Sequence, residues 1–236
     1  MTGAVRDERV ATAILSWVAG FVDTAGFLRL NGLFTAHVTG NLVVAGAELA
    51  GARGEAVWVR LGVLPVFVAA VVLTSVFART RSARLSNLLW LEVLALLLFA
   101  VIGIKIIPTD QQVVNTQMMF TVGAVGVFAM GVRNALMRES LSSLAPTTVM
   151  TGNLTQFVID WTRLNFIHDY DRSNSASTED IRQRTRKFGS ALVGFVVGAA
   201  FGAFFMQTIG FWSIFLPAIA TALLALDTRR HERRIT

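Results

Sequence analysis

Hydrophobic residues fall in long blocks along this chain, broken by short polar segments. Six apolar runs lie at roughly 10–28, 61–78, 87–107, 113–132, 188–207 and 211–226. Most approach the ~20 residues that a helix needs to cross a ~30 Å hydrocarbon layer. The last is short and needs its flanking residues to reach the interface. Two further stretches, 33–50 and 146–162, are apolar but each carries the same polar triplet, Thr39-Gly40-Asn41 and Thr151-Gly152-Asn153. A polar triplet is costly inside an apolar segment unless its groups find partners. Glycine permits an unusual backbone angle, and Asn or Thr caps a helix starting just after it. Each triplet therefore reads as a break with a short helix downstream. The pattern predicts an all-α polytopic membrane protein with six transmembrane helices and two re-entrant or broken segments.

Composition supports this reading. The 236 residues are 54% hydrophobic and only 15% charged, with a mean hydropathy of +0.60, whereas soluble domains carry about 25% charged residues. The first apolar run contains Asp23 and continues into more membrane-like sequence without a small-residue cleavage site, so it does not read as a cleaved signal peptide. Cysteine is absent, which excludes disulfides, thiolate metal sites and cysteine nucleophiles. The net charge of +6 does not point to nucleic acid, because the basic residues sit between the apolar runs and not along one amphipathic face.

Those basic residues report topology instead. With six spans and both termini cytoplasmic, 17 of the 21 Lys and Arg residues fall inside, and Arg29, Arg53, Arg60 and Lys105 fall outside. If both triplet segments cross fully, eight spans result and the split weakens to 15 against 6. The positive-inside rule favours six. Three crossings per half then make the second half an inverted copy of the first, with repeats over 1–110 and 111–236 and a cytoplasmic loop at 164–187. Aligning the triplets also brings Gly20 near Gly131, sets Asp23 opposite Asn134, and matches Arg60-Leu-Gly62 with Lys187-Phe-Gly189. Inverted repeats with interrupted helices near the midplane recur in secondary transporters.

Candidate chemistry follows from the polar residues inside the runs. The amides at the start of each short helix carry partial positive charge and suit an anionic or polar ligand group. In the inverted arrangement the two breaks enter from opposite faces and approach each other near mid-bilayer, making the paired triplets the expected substrate site. Asp23 is a functional candidate because an intramembrane carboxylate is expensive; the competing reading is a structural pair with Arg133. His37 suits a proton relay, its ordinary pKa lying near neutrality, against the plainer role of a hydrogen-bonding residue. Asp23, His37, Arg133 and Asn134 are thus the coupling or gating set. Glu92 reads as an interfacial carboxylate snorkelling or pairing with Arg84. Asp160 and Gln156 follow the second triplet on one helical face, with Asp160 near the cytoplasmic interface. Gly194, Gly198 and Gly202 form a small-residue stripe for close packing, inside the fold or at a homodimer seam. The basic end of the loop, Arg182 to Lys187, suits contact with anionic lipid. No metal constellation, catalytic triad or phosphate-binding glycine loop stands out, so neither cofactor nor enzymatic activity is expected.

Two segments then resemble a known family. Gly20-Phe-Val-Asp-Thr-Ala-Gly-Phe27 leading to His37-Val-Thr-Gly-Asn41, and Met130-Gly-Val-Arg-Asn-Ala135 leading to Thr147-Thr-Val-Met-Thr-Gly-Asn153, resemble the paired signatures of the YoaK-type, DUF1275 membrane proteins. The similarity extends over nearly the whole chain. It implies a small permease of the bacterial inner membrane, without a general substrate to carry over. The combined expectation is a secondary transporter for a small polar solute or ion, coupled to protons. A channel is the nearest rival, since paired re-entrant segments also line pores, and a non-transporting scaffold or regulator is the rival of a different class.

Overall fold

The computed structural model describes residues 7–51, 54, 56–80, 84–107, 114–166 and 175–235. The described residues form eight α-helices: α1 Glu8–Arg29, α2 Val38–Ala50, α3 Val57–Ala78, α4 Leu85–Ile106, α5 Thr116–Glu139, α6 Met150–Phe166, α7 Ser175–Ile209 and α8 Phe215–Ile235. Five helical stretches are long and apolar enough to cross a membrane, the last running over 57 residues from Thr178 to Arg234. That stretch contains both α7 and α8. Gly210, at φ +61°, starts the 3₁₀ turn Gly210–Ile214 that reverses the chain. Ala220 and Leu223 consequently return to the level of Ser190 to Val197, all lining one groove. Six long helices and two short ones result.

Helix directions can be read from which residues meet. Glycines 194, 198 and 202 of α7 lie against Ala13, Trp17 and Phe21 of α1 in the same order, so these helices run parallel. Gly62 of α3 meets Phe120 of α5 and Ala70 meets Gly131, another parallel pair. By contrast, Ser86 near the start of α4 bonds Glu232 near the end of α8, while Gly103 near the end of α4 packs on Phe211 before α8. Antiparallel α4 and α8 fit the six-span path, whereas eight spans would make them parallel. The six-span, all-α polytopic architecture holds. Its packing also repeats between the halves, because α1 rests on α7 as α5 rests on α3, and α2 rests on α3 as α6 rests on α7.

The α1/α7 seam is the tightest packing described. A Cβ at Gly194, Gly198 or Gly202 would overlap the backbone carbonyls of Ala13, Trp17 and Phe21, and one at Gly20 would overlap that of Phe195. The glycine stripe therefore works inside the fold. Apolar side chains such as Val43, Trp58, Val76, Leu154, Val193 and Leu223 face outward, while Asp23, Arg60, Glu92, Arg133 and Asp160 are buried. Apolar outside and polar within is the arrangement that a hydrocarbon solvent selects.

Two expectations need correction. The segment 164–187 is not one loop: α6 continues to Phe166, and α7 begins at Ser175, so Arg182 to Lys187 are helical. Residues 167–174 lie outside the described residues, as does Arg53. The triplets are not the breaks either. Both lie in the first turn of their helices, and the breaks precede them at 30–37 and 140–149.

Candidate functional site

Each break and the short helix after it form a hairpin that dips into the bundle and returns. In the first, Asn31 and Gly32 take positive φ values of 49° and 75° and turn the chain inward from the end of α1. The segment descends to His37 beside Asp23, six residues before the end of α1, or about 9 Å along a helix axis. α2 then climbs back, and Glu48 meets Arg60 at the level of the turn. Arg60 donates through Nε to Glu48 at 3.0 Å, and through its terminal nitrogens to the carbonyls of Gly32 and Asn31, both at 2.7 Å. One arginine thus clasps both ends of the hairpin.

Asp23 fastens the tip. Its Oδ1 accepts hydrogen bonds from the backbone amides of Thr35 at 2.8 Å, Ala36 at 2.7 Å and His37 at 3.4 Å. Its Oδ2 lies 2.6 Å from His37 Nδ1. These amides precede α2, where the helix dipole favours a negative charge, so Asp23 supplies from α1 the cap that α2 lacks in its own sequence. Asp23 is 4% exposed, whereas the His37 side chain is 32% exposed. The imidazole packs edge-on against Phe195 of α7, with centroids 5.5 Å apart. No hydrogen bond to His37 Nε2 is found among the described residues, so the dyad has one end buried in amides and the other accessible.

The triplet asparagines hold the hairpins in shape. Asn41 accepts from the Phe34 amide at 2.9 Å and donates to the Phe34 carbonyl at 2.8 Å, so both ends of its amide are committed to one backbone unit. Gly40 gives the Phe34 ring room, since a Cβ there would sit 3.0 Å from it. Asn153 donates to the Pro146 carbonyl at 2.6 Å, and proline has no amide to return the bond. Thr39, Thr151 and Gly152 lie in the same first turns without a polar contact to the opposite hairpin. The tips do not meet at one depth. Gly126 packs on Thr35 beside Asp23, and Asn134 is eight residues further along α5, or about 12 Å away along the axis.

The second hairpin repeats the first with different chemistry. Thr148 donates to Asn134 at 2.6 Å, matching His37 on Asp23, and Asn134 donates to the Met130 carbonyl of its own helix at 2.9 Å. Lys187 donates to the Ser143 carbonyl as Arg60 does to Asn31. Asp160 takes the place of Glu48, bound by Arg184 at 2.6 and 2.7 Å and by Gln156 at 2.9 Å. Desolvation pushes the Asp160 carboxyl up, but the hydrogen bonds from Arg184 and Gln156 and the charges of Arg184 and Arg163 outweigh it and hold it below the ordinary carboxylate range.

Arg133 does not pair with Asp23. It is fully buried, donates to Glu92 through Nε at 2.7 Å and through a terminal nitrogen, and reaches the Leu15 carbonyl at 2.5 Å and Thr221 Oγ1 at 3.4 Å. Glu92 is accordingly no interfacial carboxylate. It is wholly buried and ties α4 to α5, with Arg133 extending the tie to α1 and α8. Spacing alone cannot show a pair between separate helices. The signal available in sequence was the presence of one acid and one base, each deep in an apolar run.

Buried charges within an apolar-faced helical bundle, with two hairpins dipping from opposite faces, define a multi-pass α-helical membrane protein. Residues 11–226 match the family described as Protein of unknown function (DUF1275), and the chain belongs to that family. No curated protein and no solved structure matches it.

Proposed function

We propose that this protein is a secondary transporter, a small permease that moves a small polar solute or ion across the bacterial cytoplasmic membrane, with both termini cytoplasmic and with proton coupling through Asp23 and His37. One observation carries the reading: an intramembrane carboxylate is held by backbone amides at the tip of a re-entrant hairpin and shared with a partly exposed imidazole. A carboxylate and an imidazole 2.6 Å apart can hold a proton between them, and the amides they engage shape the hairpin, so a change of protonation bears directly on its position. The triplets serve this mechanism by keeping the hairpins folded, with Asn41 and Asn153 as positioning residues. No cofactor or catalytic step enters the mechanism.

The test is flux into vesicles containing the purified full chain, across a panel of solutes with and without a pH gradient. Saturable uptake accelerated by the gradient is expected, with Asp23→Asn removing the acceleration. Fast, non-saturating flux would instead establish a channel. Absence of flux for every solute would favour the scaffold reading.

A further inference from the structure

Two cavities adjoin along the α1/α7 seam. The first, of about 500 Å³, is lined by the acids Asp7, Glu8 and Asp180 and the bases Arg9, Arg184 and Lys187, so its formal charges balance. Among the described residues no hydrogen bond or ion pair engages the side chains of Arg9 and Asp180. Lys187 spends one of its N–H groups on the Ser143 carbonyl and keeps the others. Glu8 accepts from Ser143 through Oε1 alone. The second cavity, of about 520 Å³, is apolar apart from Ser190. That hydroxyl is already committed, donating to the Lys187 carbonyl at 2.8 Å. The small residues Ala13, Gly194 and Ala220 leave this groove recessed, and the exposed Val193, Val197 and Leu223 flank them.

Arg9 stands one turn before Ala13 on α1, and Lys187 one turn before Ser190 on α7, so the charged cavity passes directly into the groove. The apolar runs of both helices begin at this level, with Val10 after Arg9 and Phe188 after Lys187. The charged cavity therefore lies at headgroup depth and the groove in the hydrocarbon. We propose that together they bind one phospholipid carrying a primary ammonium, of the phosphatidylethanolamine class. Its phosphate meets Arg9 and Lys187, its ammonium meets Glu8 and Asp180, and one acyl chain fills the groove. Charge balance selects this headgroup. A headgroup of net negative charge brings more of it against three carboxylates, which is unfavourable at close range. A choline headgroup has no N–H to give those carboxylates. Its quaternary ammonium suits an aromatic cage, and none of the residues lining the charged cavity is aromatic. The site is separate from Asp23 and His37 and does not depend on the transporter reading.

The purified full chain, stripped of lipid in detergent, is titrated with dioleoyl phosphatidylethanolamine, phosphatidylcholine and phosphatidylglycerol. Native mass spectrometry counts the bound lipid, and the unfolding midpoint is followed alongside. The ethanolamine lipid is expected to bind in one copy, at least about tenfold more tightly than either of the others, and to raise the midpoint most. Arg9→Gln should weaken the ethanolamine and choline lipids alike, by about fivefold, because both carry the phosphate. Glu8→Gln combined with Asp180→Asn should weaken the ethanolamine lipid alone, by about tenfold, and so erase the preference. Glycerophosphoethanolamine, the same headgroup without chains, should bind at least about a hundredfold more weakly than the lipid. Glu8, Arg9 and Asp180 are exposed, and Glu8→Gln keeps an acceptor for Ser143, so these variants fold. Circular dichroism checks this, and should the double variant not fold, Arg9→Gln and the comparison of native affinities decide. Equal affinity for the three lipids, or tightest binding of the glycerol lipid, would overturn the proposal. So would an ethanolamine preference unchanged in the folded double variant, or a free headgroup that binds as tightly as the lipid.

Discussion

The first and second hairpins share a backbone design and diverge in charge. In the first, a carboxylate, an imidazole and a buried arginine lock the tip and the mouth. In the second, an asparagine and a threonine meet at the tip, a lysine on one carbonyl and the Asp160–Arg184 pair hold the mouth, and proline removes an amide from the asparagine clasp. The same fold element is thus built once as a self-satisfied unit and once with donors to spare. The difference separates what the hairpin needs to fold, which both have, from what it needs for chemistry, which they divide.

Paired substitutions break or sharpen this contrast. The largest difference is expected at the tips. Asp23→Ala leaves three amides and His37 without their acceptor inside the bundle and should cost about 3–5 kcal/mol, whereas Asn134→Ala should cost about 1 kcal/mol. Chemical unfolding in detergent micelles measures both, and equal costs would mean that Asp23 does not fasten the tip. Next come the clasps. Arg60→Met loses a pair with the partly buried Glu48 and two carbonyl bonds, about 2–3 kcal/mol, against about 1 kcal/mol for Lys187→Met. Proteolysis near residues 51–56 should accelerate in the arginine variant, while the lysine variant stays close to native. The smallest contrast lies in the triplets. Asn41→Ala removes two hydrogen bonds and Asn153→Ala one to the backbone, about 2 against about 1 kcal/mol. A reversed order would indicate that Asn153 has a role beyond the hairpin.

Much of this organisation is legible in the sequence because it is one-dimensional. Hydropathy gives the spans, and the distribution of arginine favours the six-span path that antiparallel α4 and α8 fit. Aligning the halves pairs Asp23 with Asn134 and, across a longer intervening segment, Arg60 with Lys187. The same alignment also pairs Glu48 with Asp160 and Thr35 with Thr147. What stays hidden is the pairing between helices. In the aligned repeat Asp23 falls one position from Arg133, yet its partners are amides a dozen residues downstream, since a hairpin brings its own donors closer than any neighbouring helix can. Glu92 and Arg133 find each other across α4 and α5, where their mutual approach avoids two uncompensated buried charges. The triplets mark the hairpins correctly, but as the first turn after each break, because an asparagine reaching back seven residues must already stand on the helix it stabilises.

The α1/α7 seam carries a consequence for biogenesis. α1 packs backbone to backbone against α7, so the whole stretch from α2 to α6 is synthesised before α1 meets its main partner. The corresponding seam of the second half, α3 against α5, closes much earlier. During insertion α1 must therefore wait in the bilayer, with its Gly20 face uncovered, until α7 arrives beside it. Neither half can finish alone, and a nascent chain halted before Gly194 should be a substrate for quality-control proteolysis, unlike one released after Gly202 has engaged.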